Sequence, residues 1–166
     1  MTLAALGLPS YGVREFAKVR ENKCERNKLF TELFFLNIIS TTLAVTGFFI
    51  LVAINTGFHG EWALYSACGV AIVFNYLNID WMYMGLEEYG YITARSLLIK
   101  AVSLVILFLV VKTEQDYVLY ALLSSLATGG NYVFNVFHAR KFVKIDFGGI
   151  QIGRHLKPVL LIACII

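Results

Sequence analysis

Apolar residues in this chain gather into long blocks separated by short charged stretches. Between Lys28 and Glu61 the only charge is Glu32. A membrane crossing takes about 20 apolar residues, so residues 33–55 read as a complete span. Trp62 to Ile79 carries no charge and the apolar pattern runs on past Asp80, which predicts a second span over 62–84. The apolar run Ala101 to Val111 is too short alone. It reaches membrane length over 94–112 only by including Lys100, whose ammonium must then snorkel or face protein. Tyr117 to Phe137 is again uncharged and gives a fourth span over 117–138. A fifth opens at Pro158 and is still running at Ile166. Ahead of the first span, Val13 to Leu29 is compatible with an amphipathic helix, with Lys18/Glu21, Glu25/Lys28 and Lys28/Glu32 three or four residues apart.

Composition turns this pattern into a choice of solvent. Of 166 residues 58% are hydrophobic and 15% charged, with a mean hydropathy of +0.71, whereas soluble domains are roughly 45–50% apolar and about 25% charged. These values exclude a soluble globular fold, and two prolines with 14% aromatics exclude a low-complexity chain. The expected fold class is all-α, a polytopic transmembrane helix bundle. Thirteen of the 14 basic residues fall on one side of a four-span weave: six before span one, Arg95 and Lys100 between spans two and three, and five after span four. The positive-inside rule makes that side cytoplasmic, so residues 12–30 and 139–157 are expected there. The same asymmetry accounts for the net charge of +3 without a nucleic-acid partner. Cys24, Cys68 and Cys164 have no ligand-like spacing, and His59, His138 and His155 lie in separate connections or span ends, so neither metal nor cofactor is expected. The apolar start MTLAALGL lacks a basic n-region, so no cleaved leader is expected. Both ends read as cut, and the chain is expected to be an internal piece of a larger membrane protein.

Polar residues inside spans are costly and therefore informative. In span four, Tyr120, Ser124, Thr128, Asn131, Asn135 and His138 follow spacings of 4, 4, 3, 4 and 3, which puts all six on one helical face. Beside them runs the small-residue row Ala121, Ser125 and Gly129, suited to close helix approach. The polar face serves either interhelical hydrogen bonds or a water-filled cavity; on both readings it avoids lipid. Asp80 near the cytoplasmic boundary needs a partner. Arg95 or Lys100 would make it a structural pair; a proton- or cation-coupling role and simple interfacial solvation are the alternatives. Arg95 and Lys100 lie five apart, about 140° on an ideal helix, so they cannot share a face. Lys100 lies deeper and is either a snorkelling charge or a cation for an anionic substrate. No nucleophile elbow, phosphate loop or paired-carboxylate pattern points to an enzyme.

Five segments carry a family likeness: LGLPSYGVREFAKVR (6–20), NIDWMYMGLE (78–87), YITARSLLIK (91–100), YALLSSLATGGNYVFN (120–135) and HLKPVLL (155–161). In their order and spacing the chain resembles bacterial polysaccharide-biosynthesis flippases, the O-antigen and capsule repeat-unit translocases of the multidrug/oligosaccharidyl-lipid/polysaccharide exporter superfamily. The resemblance implies two similar lobes of about twelve to fourteen spans around a cavity that opens alternately to either face. On that frame the chain covers the end of the second span to the start of the seventh, part of the first lobe of a MATE-like fold. It further implies a bacterial inner-membrane location, membrane lipids and the second lobe as partners, and an oligosaccharide on undecaprenyl diphosphate as substrate. Arg14, Arg95 and Lys100 would then face the diphosphate, Asn131 and Asn135 the sugar, and Asp80 and Glu87 would serve coupling or structure. Drug/cation antiport on the same fold and a small non-transporting membrane interaction protein are the alternatives.

Overall fold

The computed structural model describes residues 7–54, 61–113 and 116–165, with side chains described as far as residue 162. The apolar start 1–6, Asn55, His59, Glu114 and Ile166 therefore lie outside the described residues. Among the described residues all regular structure is helical. The elements are α1 (Leu8–Lys18), α2 (Lys23–Ile54), α3 (Trp62–Phe74), a 3-10 turn (Asn75–Leu77), α4 (Asp80–Gly85), α5 (Tyr89–Val110), α6 (Tyr117–Ala139) and α7 (Gly153–Ile165).

Helix α1 starts where Gly7 takes the left-handed conformation, φ 71°, with a proline in its first turn. Glycine adopts that conformation at no steric cost, and proline suits a first turn because its missing N–H would be unpaired there. The helix ends at Lys18, and Asn22 opens α2: its Oδ1 accepts the backbone N–H groups of Cys24 (3.2 Å) and Glu25 (3.4 Å), the N-cap arrangement. The stretch Val13–Leu29 is thus two helices rather than one. Beyond the cap α2 runs unbroken for 32 residues, about 48 Å at 1.5 Å per residue. The expected cytoplasmic connection and the first span share this helix.

The expected second span is interrupted. Helix α3 has 13 residues, about 20 Å, and after the 3-10 turn the backbone is extended at Asn78 (ψ 104°) before α4 begins. Such a break exposes carbonyls that lipid cannot satisfy. Asn37 of α2 meets them, donating to the carbonyls of Asn75 (2.8 Å) and Tyr76 (3.3 Å). Asn75 in turn donates to Thr41 Oγ1 (2.9 Å), and Asn78 Oδ1 accepts the N–H of Asp80 (3.3 Å). Asparagines that the apolar pattern tolerates in a straight span therefore build a bend.

Packing is uneven along the bundle. The core gathers Leu8, Tyr11 and Phe16 of α1, Leu29, Phe30, Leu33 and Leu36 of α2, Ile79, Trp81, Met82 and Tyr83, and Ala139, Val143 and Val159. It lies at one end, where Arg26 Nη2 donates to the Phe142 carbonyl (2.7 Å) and Lys144 N–H to Asn27 Oδ1 (2.9 Å). The basic first turns of α2 and the basic segment after α6 thus meet each other. Glu61 and Tyr117 meet at 2.8 Å between the starts of α3 and α6. Helix α5 contributes no residue to the core and tucks in chiefly the Arg95 side chain; Leu98, Phe108 and Leu109 are about two-thirds exposed. An apolar helix so uncovered is at home in hydrocarbon, not water. Among the described residues, α2 and α5 are long and apolar enough to cross a membrane. Helix α6 has the length but carries the polar face. The architecture is an all-α transmembrane helix bundle.

Candidate functional site

Two rows on α6 divide its work. Ser125 Oγ donates to the Ala67 carbonyl of α3 (2.9 Å). A Cβ on Gly129 would come within 2.4 Å of Phe74, so only glycine admits α3 this close. The small-residue row is the α3 interface. The polar face beside it changes character along its length: Tyr120 is half exposed, and Asn135 is fully buried.

Asn135 sits in a cluster drawn from α4, α5 and α6. Arg95 donates through Nη1 to the Asn135 side chain and to the Asn131 carbonyl (3.2 Å), and its Nη2 lies 3.5 Å from Asp80 Oδ1. Asn135 completes the triangle by donating to Asp80 Oδ1. Arg95 is the partner of Asp80, and Lys100 is not. Tyr83 fixes the helix carrying Asn135, its hydroxyl donating to the Asn135 carbonyl at 2.6 Å. Tyr91 stacks on His138 with ring centroids 3.9 Å apart, and the Arg95 guanidinium lies over the Tyr91 ring at 5.8 Å.

The cluster is incomplete. The Arg95 side chain is 7% exposed and Asp80 30%, and the buried Arg95 Nε and Asn131 Oδ1 have no hydrogen-bond partner. Asn131 spends its amide nitrogen on its own helix, at the Ala127 carbonyl (3.0 Å). A donor and an acceptor therefore stay open beside a buried cation. Further along the same helix pair, Lys100 and Ser103 face Ser124 and Ala127 across a groove of about 250 Å³. Among the described residues Lys100 has no ion-pair partner.

Arg14 and Glu87 are elsewhere. Arg14 is exposed, 3.2 Å from Glu15 and over the Tyr11 ring. Glu87 pairs with Arg20 at 2.5 Å, on a backbone with φ 62°. Neither contacts the Asp80–Arg95–Asn135 cluster.

A second polar network escaped the pattern of the sequence. Glu32 is fully buried. Its Oε1 accepts the Gln151 N–H (2.8 Å), and its Oε2 accepts from Arg154 Nη2 (2.7 Å) and His155 Nε2 (2.8 Å). With the Nε2 proton committed to a carboxylate, the neutral ring's Nδ1 is the acceptor for the Tyr11 hydroxyl at 2.7 Å. Burial, followed by the Glu15 carboxylate, raises the Tyr11 pKa, which keeps that hydroxyl a donor. Arg154 Nε lies 3.0 Å from the same Nε2, a close approach rather than a hydrogen bond on this tautomer. The visible signal was Glu32 itself, the lone charge in a long apolar block; its partners lie over 100 residues away. Among the described residues no group of three or more His, Cys, Asp or Glu gathers to hold a metal.

The model of the family described as polysaccharide biosynthesis protein matches residues 1–151. The chain belongs to this family. The matched segment contains the whole Asp80–Arg95–Asn135 cluster, Lys100 and Glu32, while Arg154 and His155 lie beyond it. No curated protein and no solved structure matches the chain. Membership in the polysaccharide biosynthesis family and the apolar helices together make this a membrane protein of polysaccharide biosynthesis.

Proposed function

We propose that this member of the polysaccharide biosynthesis family is part of the first lobe of a flippase. It carries oligosaccharide repeat units on undecaprenyl diphosphate across the bacterial inner membrane, for O-antigen or capsule assembly. The observation that carries the reading is the Arg95 cation, held between helices by Asp80 and Asn135, with the exposed Lys100 further along the same helix. A diphosphate leaving water needs charge-assisted donors, and Arg95 and Lys100 supply cations on one helix. Sugar hydroxyls donate as well as accept, which suits Asn131 Oδ1, while the fully buried Asn135 braces Arg95 and Asp80. The prenyl chain stays in lipid beside the uncovered α5. Four crossings with residues 12–30 and 139–157 cytoplasmic accommodate the basic segments that meet at one end. Alternating access requires a second lobe to rock against this one.

The test is glycan export by the full-length protein. Lys100 is exposed, so Lys100→Ala leaves packing intact. At matched membrane level it is expected to cut surface polysaccharide about tenfold, the worth of one charge-assisted contact. Unchanged export overturns the cation role. Glycan export unchanged by both Lys100→Ala and Asp80→Asn, with cation-driven drug efflux lost on Asp80→Asn, turns the reading to drug/cation antiport. Cysteines placed at Lys23 and Lys144 are expected to resist an impermeant label applied from outside; labelling overturns the orientation.

A further inference from the structure

A groove remains that neither polar network explains. After α6 ends, the chain turns at residues 140–142 and runs along α2, held by Lys144 N–H on Asn27 Oδ1 and Asp146 N–H on Thr31 Oγ1, both at 2.9 Å. Bonding on that stripe leaves the neighbouring Phe30 and Phe34 facing the end of α6. Between them lies a groove of about 480 Å³ with walls of Phe30, Phe34, Ile79 and Val136, and no carboxylate lines it. Arg140 and Lys144 line it too; both are exposed. Among the described residues neither belongs to an ion pair. Phe134, Phe137, Ile145 and Phe147 are all more than half exposed nearby in sequence, as residues at a membrane–water boundary are.

We propose that this groove binds an anionic phospholipid, with one acyl chain against Phe30, Phe34 and Val136 and the phosphate between Arg140 and Lys144. Charge complementarity selects the occupant: an apolar slot with two cations outside any ion pair, Arg140 lying over the Phe137 ring at 5.4 Å, and no acid suits a chain ending in a phosphate, and basic residues beside a bilayer attract such lipids. The site lies on the α2–α6 side, whereas Lys100 faces the α5–α6 groove, so the inference does not depend on the transport reading.

The test uses the full-length protein in detergent with added phosphatidylglycerol or phosphatidylcholine, with bound lipid read by native mass spectrometry. The protein is expected to retain phosphatidylglycerol in preference to phosphatidylcholine. The double variant Arg140→Gln/Lys144→Gln removes two surface charges without touching the core and is expected to weaken retention about tenfold or more. Lys23→Gln, a basic residue at the same end but outside the groove, is expected to leave it unchanged. Val136→Trp, which fills the slot and keeps both charges, is expected to expel the lipid as well. Equal retention of both lipids, retention unaffected by the double variant, or no lipid bound because another part of the protein covers the groove would each overturn the proposal.

Discussion

Glu32 and Asp80 are both carboxylates in an apolar setting, and each lies beside an arginine, yet their surroundings differ. Glu32 is fully buried and both its oxygens are engaged, by Gln151, Arg154 and His155, with Tyr11 completing the chain of bonds. That network ties α1, α2 and the start of α7 together. Asp80 is partly open, its arginine sits at 3.5 Å, and buried donor and acceptor atoms beside it go unused. A saturated buried network rigidifies and specifies packing. An unsaturated one specifies its packing less completely. Burial alone would rank Glu32 as the more interesting residue; hydrogen-bond accounting reverses that order.

The largest expected effect is on the saturated side. Glu32→Ala leaves the buried His155 Nε2–H without its acceptor and frees Arg154 and the Gln151 N–H, and losing hydrogen bonds to a charged acceptor costs about 3 kcal/mol. The measurement is the thermal unfolding midpoint of the purified full-length protein. Glu32→Gln, which keeps an acceptor and the volume, is expected to lose less than half as much. Normal stability with lost transport in Glu32→Ala would break the comparison by making Glu32 a functional residue.

Next comes a change that separates α1 from α4 and leaves both networks chemically intact. A Cβ on Gly85 would lie 2.5 Å from Phe16 Cβ, so Gly85→Ala overpacks the contact and is expected to cost about 2 kcal/mol. Full stability would mean that α1 is held chiefly through Tyr11. Smaller again is Asp80→Asn. Asparagine keeps the volume and an acceptor oxygen, and Arg95 keeps its bonds to Asn135 and to the Asn131 carbonyl, so a stability loss of about 1 kcal/mol is expected. Export, by contrast, is expected to fall clearly. A loss as large as that of Glu32→Ala would make both networks structural.

How far the sequence revealed these features depended on the range of the interaction. The small-residue row on α6, the buried Asn135 and the need of Asp80 for a cationic partner were legible because helical spacing and the cost of charge in lipid are local arguments. Which cation pairs with Asp80 was open until α5 was seen to bring Arg95 across. The break after Leu77 was hidden because its freed carbonyls are satisfied by Asn37, 38 residues before Asn75. Glu32 and His155 are 123 residues apart, with no periodicity to connect them. The ordered run of 142–151 along α2 was equally invisible, since a basic connection resembles any solvated loop until its backbone donors find Asn27, Thr31 and Glu32.

The smallest effect tests the rim of the saturated network, where α1 meets water. Glu15 accepts from Lys18 at 2.8 Å and from Arg14 at 3.2 Å. Burial alone would raise its pKa, but the hydrogen bonds and charges of Lys18 and Arg14 outweigh that and hold it below the ordinary 4.5. Between the two values the unfolded chain binds more protons than the folded one, so stability rises with pH there. The contribution is fully present above about pH 4.5 and is lost as pH falls through the lower, folded value. Lys18 and Arg14 are more than half exposed, so screening limits it to a few tenths of a kcal/mol. Comparing unfolding midpoints at pH 7 and pH 4 for the wild type and Glu15→Gln isolates this term from the other carboxylates. The variant is expected to lose slightly less stability on acidification. Identical losses would show that the ion pairs of α1 contribute nothing, leaving its attachment to Tyr11 and to the Phe16–Gly85 contact.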